Sequence, residues 1–367
     1  MGPVPTKQMA RKVGSAVRGT GGPKSLRPPA RAPSPDREAP GLPFPLARWI
    51  DDRLRLPHNL GSSGMAGQLR STPAIIRRAR PATPRELRGA VASSLDVGLD
   101  RVFLTHGATE AATLTLFYLG RRLSASTGRR PRAGVRFPEY PPLLTIAEAA
   151  GFVVHRTPDV RVISSPNNPT GGTRDLDGSV GTVGTGPTAW LVDETFREFT
   201  PAPSWSRAGS PGVWCSGSLT KVYGADSVRV GWIVAPPEEA EVFARFHGVV
   251  ADGIPDASVA AGAALIHARS TVLKESRSIL SANVGALRRA FPSAPQLSAP
   301  LWFDVGTEPD GGERLARAAA NAGVLVCPGS YFGDPRGVRL TLTRRDFPQA
   351  LAAYRAVRGR RAGFGPP

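Results

Sequence analysis

Apolar and polar positions follow two different rhythms along this chain. Between residues 100 and 235, short apolar runs of strand length alternate with turns rich in Gly, Ser, Pro and Asn and with stretches of helical spacing. Residues 101–104, 135–137, 153–154, 160–164, 189–192, 213–214 and 228–234 read as strands, and 111–123 and 142–150 as helices. The repeated order of strand, turn and helix predicts a mainly parallel sheet. The run 189–192 is apolar at every position, as a strand covered on both faces should be. From 238 onward longer helical patterns take over, at 238–246, 257–269, 273–290, 312–322 and 347–358. Strands at 301–305, 324–327 and 338–342 are interleaved with them.

Upstream, Thr83-Pro-Arg-Glu86 carries helix-start chemistry and predicts a helix running to residue 95. Residues 46–55 predict a short helix, and 58–65 a loop. Residues 1–40 are rich in Pro, Gly, Ser and Arg and too poor in aromatics to bury a core, so a disordered tail is expected there. The pattern therefore predicts an α/β chain with a large domain over 73–250 and a smaller α/β domain over 251–367. A segment over 41–72 should pack with the smaller domain.

Charge changes this picture less than its size suggests. The 367 residues carry a formal net charge of +18. Eight basic residues against Asp36 and Glu38 fall in the first 40, and the rest of the excess is spread singly. No zinc finger, helix-turn-helix spacing or aromatic-basic signature accompanies it, so nucleic acid is not expected as the main partner. No apolar stretch reaches membrane-spanning length. The two cysteines, Cys215 and Cys327, lie far apart with no metal-ligand spacing, which suits a reducing, cytoplasmic setting and no metal.

Composition does single out one residue. Of 47 basic residues only five are lysines, Lys7, Lys12, Lys24, Lys221 and Lys274. Lys221 stands between a Ser-rich turn and Arg229, and an amine can lose its proton and attack a carbonyl where a guanidinium cannot. Other candidates fall where predicted strands end, the usual ligand edge of such sheets. Gly107-Ala-Thr109 reads as a tight turn or as a helix N-terminus that takes phosphate, with His106 beside it. Ser164-Ser-Pro-Asn-Asn-Pro-Thr-Gly-Gly172 reads as a structural turn or as a rigid loop that aims an Asn amide. Asp193 closes a buried strand, as a helix N-cap or as a counter-ion to a ligand cation. Ser218, Lys221 and Arg229 bring hydroxyl, amine and guanidinium into one segment. Asn59 is a turn residue or a ligand contact.

Taken together, these motifs resemble the fold-type-I pyridoxal-5′-phosphate enzymes, specifically the class I/II aminotransferases near the histidinol-phosphate aminotransferase branch. The likeness runs from about Gly107 to Thr343 and includes Pro138-Glu-Tyr140, Asn-Asn-Pro-Thr-Gly, Asp-Glu-x-Phe, Ser-x-x-Lys and Arg229 eight residues after the lysine. It also takes in Val324-Leu-Val-Cys-Pro-Gly-Ser-Tyr-Phe-Gly333 and Val338-Arg-Leu-Thr341. The resemblance implies that Lys221 carries pyridoxal 5′-phosphate as a Schiff base and shuttles the proton. It implies that Asp193 pairs with the pyridinium nitrogen, Tyr140 stacks on the ring and Asn168 donates to the ring oxygen. Gly107, Ala108, Thr109, Ser218 and Arg229 would hold the phosphate, and Arg339, with Asn59 nearby, the substrate carboxylate. A homodimer acting on an amino acid and a 2-oxo acid is implied as well.

Phe196 departs from the family, where a Tyr usually donates to the ring oxygen, and related decarboxylases of phosphothreonine tend to carry Phe there. A decarboxylase or lyase of a (phospho)amino acid is therefore the alternative reading, and a non-catalytic cofactor-binding regulator a third. Arg77-Arg-Ala-Arg-Pro81 stands where many relatives carry a Tyr that crosses the dimer interface. Arg80 is either its substitute or part of a solvated basic turn.

Overall fold

The central sheet is built from strands whose residues are apolar on both faces. The computed structural model describes residues 45–174, 176, 189–200 and 207–360, so the tail expected over 1–40 lies outside the described residues. In chain order the strands are β1 (His58–Asn59), β2 (Val102–Thr105), β3 (Arg132–Val135), β4 (Val153–Val154), β5 (Val160–Ser164) and β6 (Ala189–Asp193). They continue as β7 (Val213–Ser218), β8 (Gly231–Val234), β9 (Leu301–Val305), β10 (Val324–Leu325), β11 (Cys327–Pro328) and β12 (Gly337–Thr341). The helices are α1 (Pro45–Asp51), α2 (Ser71–Ile76), α3 (Pro84–Leu95), α4 (Ala108–Thr127) and α5 (Pro141–Ala149), then α6 (Ala240–Val250), α7 (Asp256–His267), α8 (Arg269–Ala290), α9 (Gly311–Asn321) and α10 (Phe347–Arg358).

Among the described residues the large sheet has seven strands in the order β2-β8-β7-β6-β5-β3-β4. The run from β7 to β4 is parallel, while β8 is antiparallel to both of its neighbours. That reversal puts the start of β8 at the same edge as the ends of β2, β5, β6 and β7. Ser164 lies opposite Asp193, and Asp193 opposite Ser216, so three strands end nearly level. The segments carrying Gly107, Tyr140, Asn168, Lys221 and Arg229 leave from or enter at this edge, whereas Asn59 and Arg339 belong to the two smaller sheets.

Helix α3 starts as its sequence predicts. The Thr83 hydroxyl accepts from the Glu86 N–H at 3.2 Å, and the Glu86 carboxylate accepts from the Thr83 N–H at 2.5 Å. Several boundaries differ from expectation, among them the splitting of 324–327 into β10 and β11, and two of them bear on the site. Strand β3 lies at 132–135 because Ala133, Gly134 and Val135 pair with β5, while Pro138 has no N–H to extend the ladder. Strand β8 begins at 231 because residues 226–228 wind into a 3-10 turn and Arg229 takes a left-handed conformation at φ 52°. Helix α2 has no counterpart in the sequence reading; it is six residues long and lacks a side-chain cap.

A second, antiparallel sheet has the order β11-β12-β9 and centres on Arg339, which lies opposite Cys327 and Phe303. Two links tie it to the large sheet's edge, and further contacts join the N-terminal segment to the strands beside it. β1 pairs with β10, and the Trp49 indole N–H donates to the Val326 carbonyl at 2.8 Å. The loop after β5 docks on the start of β9, where Ser298 N–H donates to Gly171 O at 2.8 Å; a Cβ at Gly171 would collide with the Leu301 carbonyl. Loop 60–65 then spans from β12 to the lysine. The Leu60 carbonyl accepts from Thr341 N–H at 2.9 Å, and Met65 N–H donates to Lys221 O at 2.9 Å.

Candidate active site

A cavity of about 220 Å³ opens at the shared edge. Gly107, Ala108, Thr109 and Arg229 line it together. Gly107 sits at φ 113°, a conformation closed to side-chain-bearing residues, and lets α4 begin against β8. The approach is close enough that a Cβ at Gly231 would lie 2.5 Å from the Gly107 carbonyl carbon. No side chain caps α4, so its first N–H groups face the cavity with the positive end of the helix dipole behind them. The Arg229 guanidinium donates to His106 O at 2.8 Å, which holds it across the helix start.

Lys221 and Asp193 line the cavity's depth. Burial pushes the Lys221 amine below the ordinary lysine range; Asp226 and Asp193 oppose that shift, while Arg339 and Arg229 add to it. Burial raises the Asp193 carboxyl above its usual range, opposed chiefly by hydrogen bonds from Thr195. Those bonds, from the Thr195 N–H at 3.0 Å and its hydroxyl at 2.5 Å, and a longer one from Ser216 at 3.5 Å, all reach Oδ1. The other carboxylate oxygen has no protein partner among the described residues.

Tyr140 and Asn168 are positioned together by Glu139, a residue the sequence reading quoted without giving it a role. Glu139 is 1% exposed and pairs with Arg174 at 3.1 Å. It accepts from Tyr140 N–H at 2.7 Å, from Ser164 N–H at 3.0 Å, from the Ser164 hydroxyl and from the Asn167 amide at 3.3 Å. The Ser164 hydroxyl in turn accepts from Asn168 N–H at 2.9 Å. Burial pushes the Glu139 carboxyl up to about 7 against the pull of Arg174. Tyr140, at the N-cap of α5, has its phenol pushed up to about 12, mostly by burial and further by Asp193.

Three expected site residues are not on the cavity wall. The Ser218 hydroxyl is buried against Thr220, 2.7 Å from its Oγ1, and Thr220 faces the cavity instead. Asn59 makes a turn: its carbonyl oxygen accepts from Gly61 and Ser62 N–H, each at 3.0 Å, and its amide donates to the Ser62 hydroxyl at 3.0 Å. Both ends of the side chain are thus engaged locally, which the expected substrate contact would have to break. Arg339 lies one layer behind, 2% exposed. It donates to Asn168 Oδ1 at 3.2 Å, to Cys327 Sγ at 3.0 Å and to Gly61 O, while its Nε is buried with no partner. Arg80 is exposed beyond the end of α2. Ser63, Thr195, Thr220 and Asp226 line the cavity without having been singled out from the sequence. Only the adjacency of Thr195, Thr220 and Asp226 to the motifs could have pointed to them.

The unengaged groups are of the kinds that pyridoxal 5′-phosphate would need. A free carboxylate oxygen at Asp193 suits a protonated ring nitrogen, and the Asn168 amide nitrogen, without a protein partner, suits a ring oxygen. The bare start of α4 beside Arg229 suits a phosphate. No group of three or more His, Cys, Asp or Glu side chains that could hold a metal occurs among the described residues. No helix among them is long and apolar enough to cross a membrane.

Comparison with known proteins agrees with this chemistry. A family model for aminotransferase class I and II matches residues 145–353. The chain is 29% identical over 204 residues to a histidinol-phosphate aminotransferase of Haloarcula marismortui, a match spanning 53% of this chain and 54% of that enzyme. It is 27% identical over 384 residues to a capreomycidine synthase of Streptomyces vinaceus, spanning 88% of this chain and 96% of that one. A crystal structure titled as an aminotransferase from Silicibacter pomeroyi shares the fold at TM-score 0.70 and 20% identity, over 87% of this chain and 97% of that one.

Proposed function

Because the chain belongs to aminotransferase class I and II, a family that depends on pyridoxal 5′-phosphate, we propose that it moves an amino group from an amino acid to a 2-oxo acid through Lys221. The observation that carries this reading is the enclosed Lys221 amine, with its proton affinity lowered, facing a cavity that also holds Asp193. When bound, the cofactor supplies an electron sink that makes the substrate Cα–H acidic. Lys221 takes that proton and returns it, which needs an amine that can give up its own proton; burial lowers its proton affinity in that direction. Asp193 keeps a proton on the ring nitrogen through its free oxygen. Tyr140 would cover one face of the ring, and the Asn168 amide would donate to the ring oxygen. Ala108, Thr109 and Arg229 hold the phosphate, with Gly107 providing the close approach. Arg339 receives the substrate carboxylate, exchanging its bond to Gly61 O for one to the ligand. The reading extends to a homodimer in the cytoplasm, where a reducing milieu would keep the free Cys215 and Cys327 as thiols.

Borohydride reduction of the holoenzyme tests the lysine directly. The expected result is cofactor fixed covalently to the peptide containing Lys221, with no fixation and no turnover in Lys221→Ala. Full activity in that variant would refute the assignment.

A second reading, in which a different Cα bond breaks, rests on Phe196 and on the similarity to a capreomycidine synthase along 88% of the chain. Phe196 lines the cavity with an apolar ring stacked at 24° to Phe199, so no phenol donates to the ring oxygen from that side. Holoenzyme mixed with amino acids and no 2-oxo acid separates the two readings. Stoichiometric nitrogen transfer with release of a free 2-oxo acid establishes transamination. Carbon dioxide or a cyclised product, with the nitrogen retained, establishes the second reading.

A further inference from the structure

We propose that Asp226 selects an amino donor whose side chain carries a positive charge, an ammonium or a guanidinium; this rests on the aminotransferase reading above. The charges that line or back the cavity are Asp193, Lys221, Asp226, Arg229 and Arg339. Each of the others has an assigned counterpart in that reading. Arg229 meets the phosphate, Arg339 the substrate carboxylate and Asp193 the ring nitrogen, while Lys221 is the group that reacts. Asp226, solvent-exposed beside Lys221, is the one to which that reading assigns no cofactor or substrate group.

Its position suits a substrate side chain better than the cofactor. Asp226 opens the 3-10 turn 226–228 and makes no hydrogen bond or ion pair among the described residues; Arg229, three positions on, points to His106 O. A Cβ placed on Gly64 would lie 3.8 Å from Asp226 Oδ1, 3.6 Å from Lys221 Cδ and 3.4 Å from Thr220 O. The carboxylate therefore stands beside the stem of the lysine, in the gap between loop 60–65 and the turn that carries Lys221. A substrate Cα must come within reach of the Lys221 amine, so its side chain starts next to this gap. Ser63, from the same loop, lines the cavity and adds a hydroxyl acceptor. An ammonium or guanidinium at the end of the donor side chain, as in lysine, ornithine or arginine, would meet this carboxylate.

The test pairs charged donors with neutral donors of similar length: ornithine and lysine against norvaline and norleucine, and arginine against citrulline. For the holoenzyme, kcat/KM in the half-reaction should favour the charged member by on the order of tenfold. That ratio should collapse toward one in Asp226→Asn and invert in Asp226→Lys. Calorimetry supplies a readout without turnover: 6-aminohexanoate should bind the wild type more tightly than hexanoate, and the difference should vanish in Asp226→Asn. Equal ratios in the wild type, a preference for acidic or phosphorylated donors, or a ratio that survives Asp226→Asn would each overturn the proposal. If no amino acid reacts and borohydride fixes no cofactor on Lys221, the aminotransferase reading itself fails, and this inference falls with it.

Discussion

At the scale of single residues, two side chains have consequences that can be measured separately. Arg339 lies behind Asn168 and Gly61, away from the phosphate end, so Arg339→Ala should weaken amino-acid binding and leave the cofactor in place. Hydrogen bonds to a charged group contribute about 1.5–3 kcal/mol, so KM should rise by roughly 10- to 100-fold. Equilibrium dialysis of the cofactor alongside steady-state kinetics checks both halves; loss of cofactor would give the arginine a different role. Phe196→Tyr should restore a donor to the ring oxygen and stabilise its deprotonated form. The pH midpoint of the bound cofactor's visible band should then fall by about one unit, read by spectrophotometric titration. Asn59 and Ser218 mark where residue-level reading stopped. Both are of a type that binds ligands, and both have their polar atoms engaged by neighbours two or three positions away. Residue type does not decide whether such an atom turns inward to the backbone or outward to a ligand.

At the scale of elements, the site depends on where α4 starts. Gly107 holds φ 113°, and a Cβ there would lie 3.0 Å from the Arg229 guanidinium. Gly107→Ala should therefore strain the turn by about 1–3 kcal/mol and displace Arg229. The expected outcome is a folded protein with a lowered Tm and weaker cofactor binding, followed by thermal denaturation with and without cofactor. The strands and helices themselves were largely legible, because their apolar spacing repeats with period two or near 3.6. The element ends were less so. Strand β8 starts three residues late because Arg229 adopts a left-handed conformation that no local propensity for arginine predicts. Helix α2 escaped notice since six residues without a cap give too short a period to detect.

At the scale of the whole molecule, the Glu139–Arg174 pair joins the turn after β3 to the loop after β5, and its titration should be visible in stability. Glu139 has its carboxyl pushed up to about 7 in the folded chain, against an ordinary value of 4.5. Between those pH values the folded state holds a proton that the unfolded state has lost. Glu139 therefore stabilises the fold fully below pH 4.5, and the contribution is lost as pH rises to about 7. Glu139→Gln removes this slope. The difference in unfolding free energy, wild type minus variant, should fall by on the order of 3 kcal/mol across that window and be flat above it, measured by denaturant titration at several pH values. A difference flat across the whole range would mean that folding leaves the carboxyl's proton affinity unchanged. By itself the sequence determined the α/β rhythm, the lysine that the composition isolates and the cofactor class its motifs resemble, because local periodicity and local spacing encode these. Only the tertiary structure decided which side chains face the cavity. Asp226 and Ser63 lie far apart in sequence and reach it from different loops, while Arg339 is held one layer back. Those outcomes depend on an antiparallel β8 and on a second sheet docked through Gly171 and loop 60–65. Such contacts join positions more than a hundred residues apart, which no spacing along the chain records.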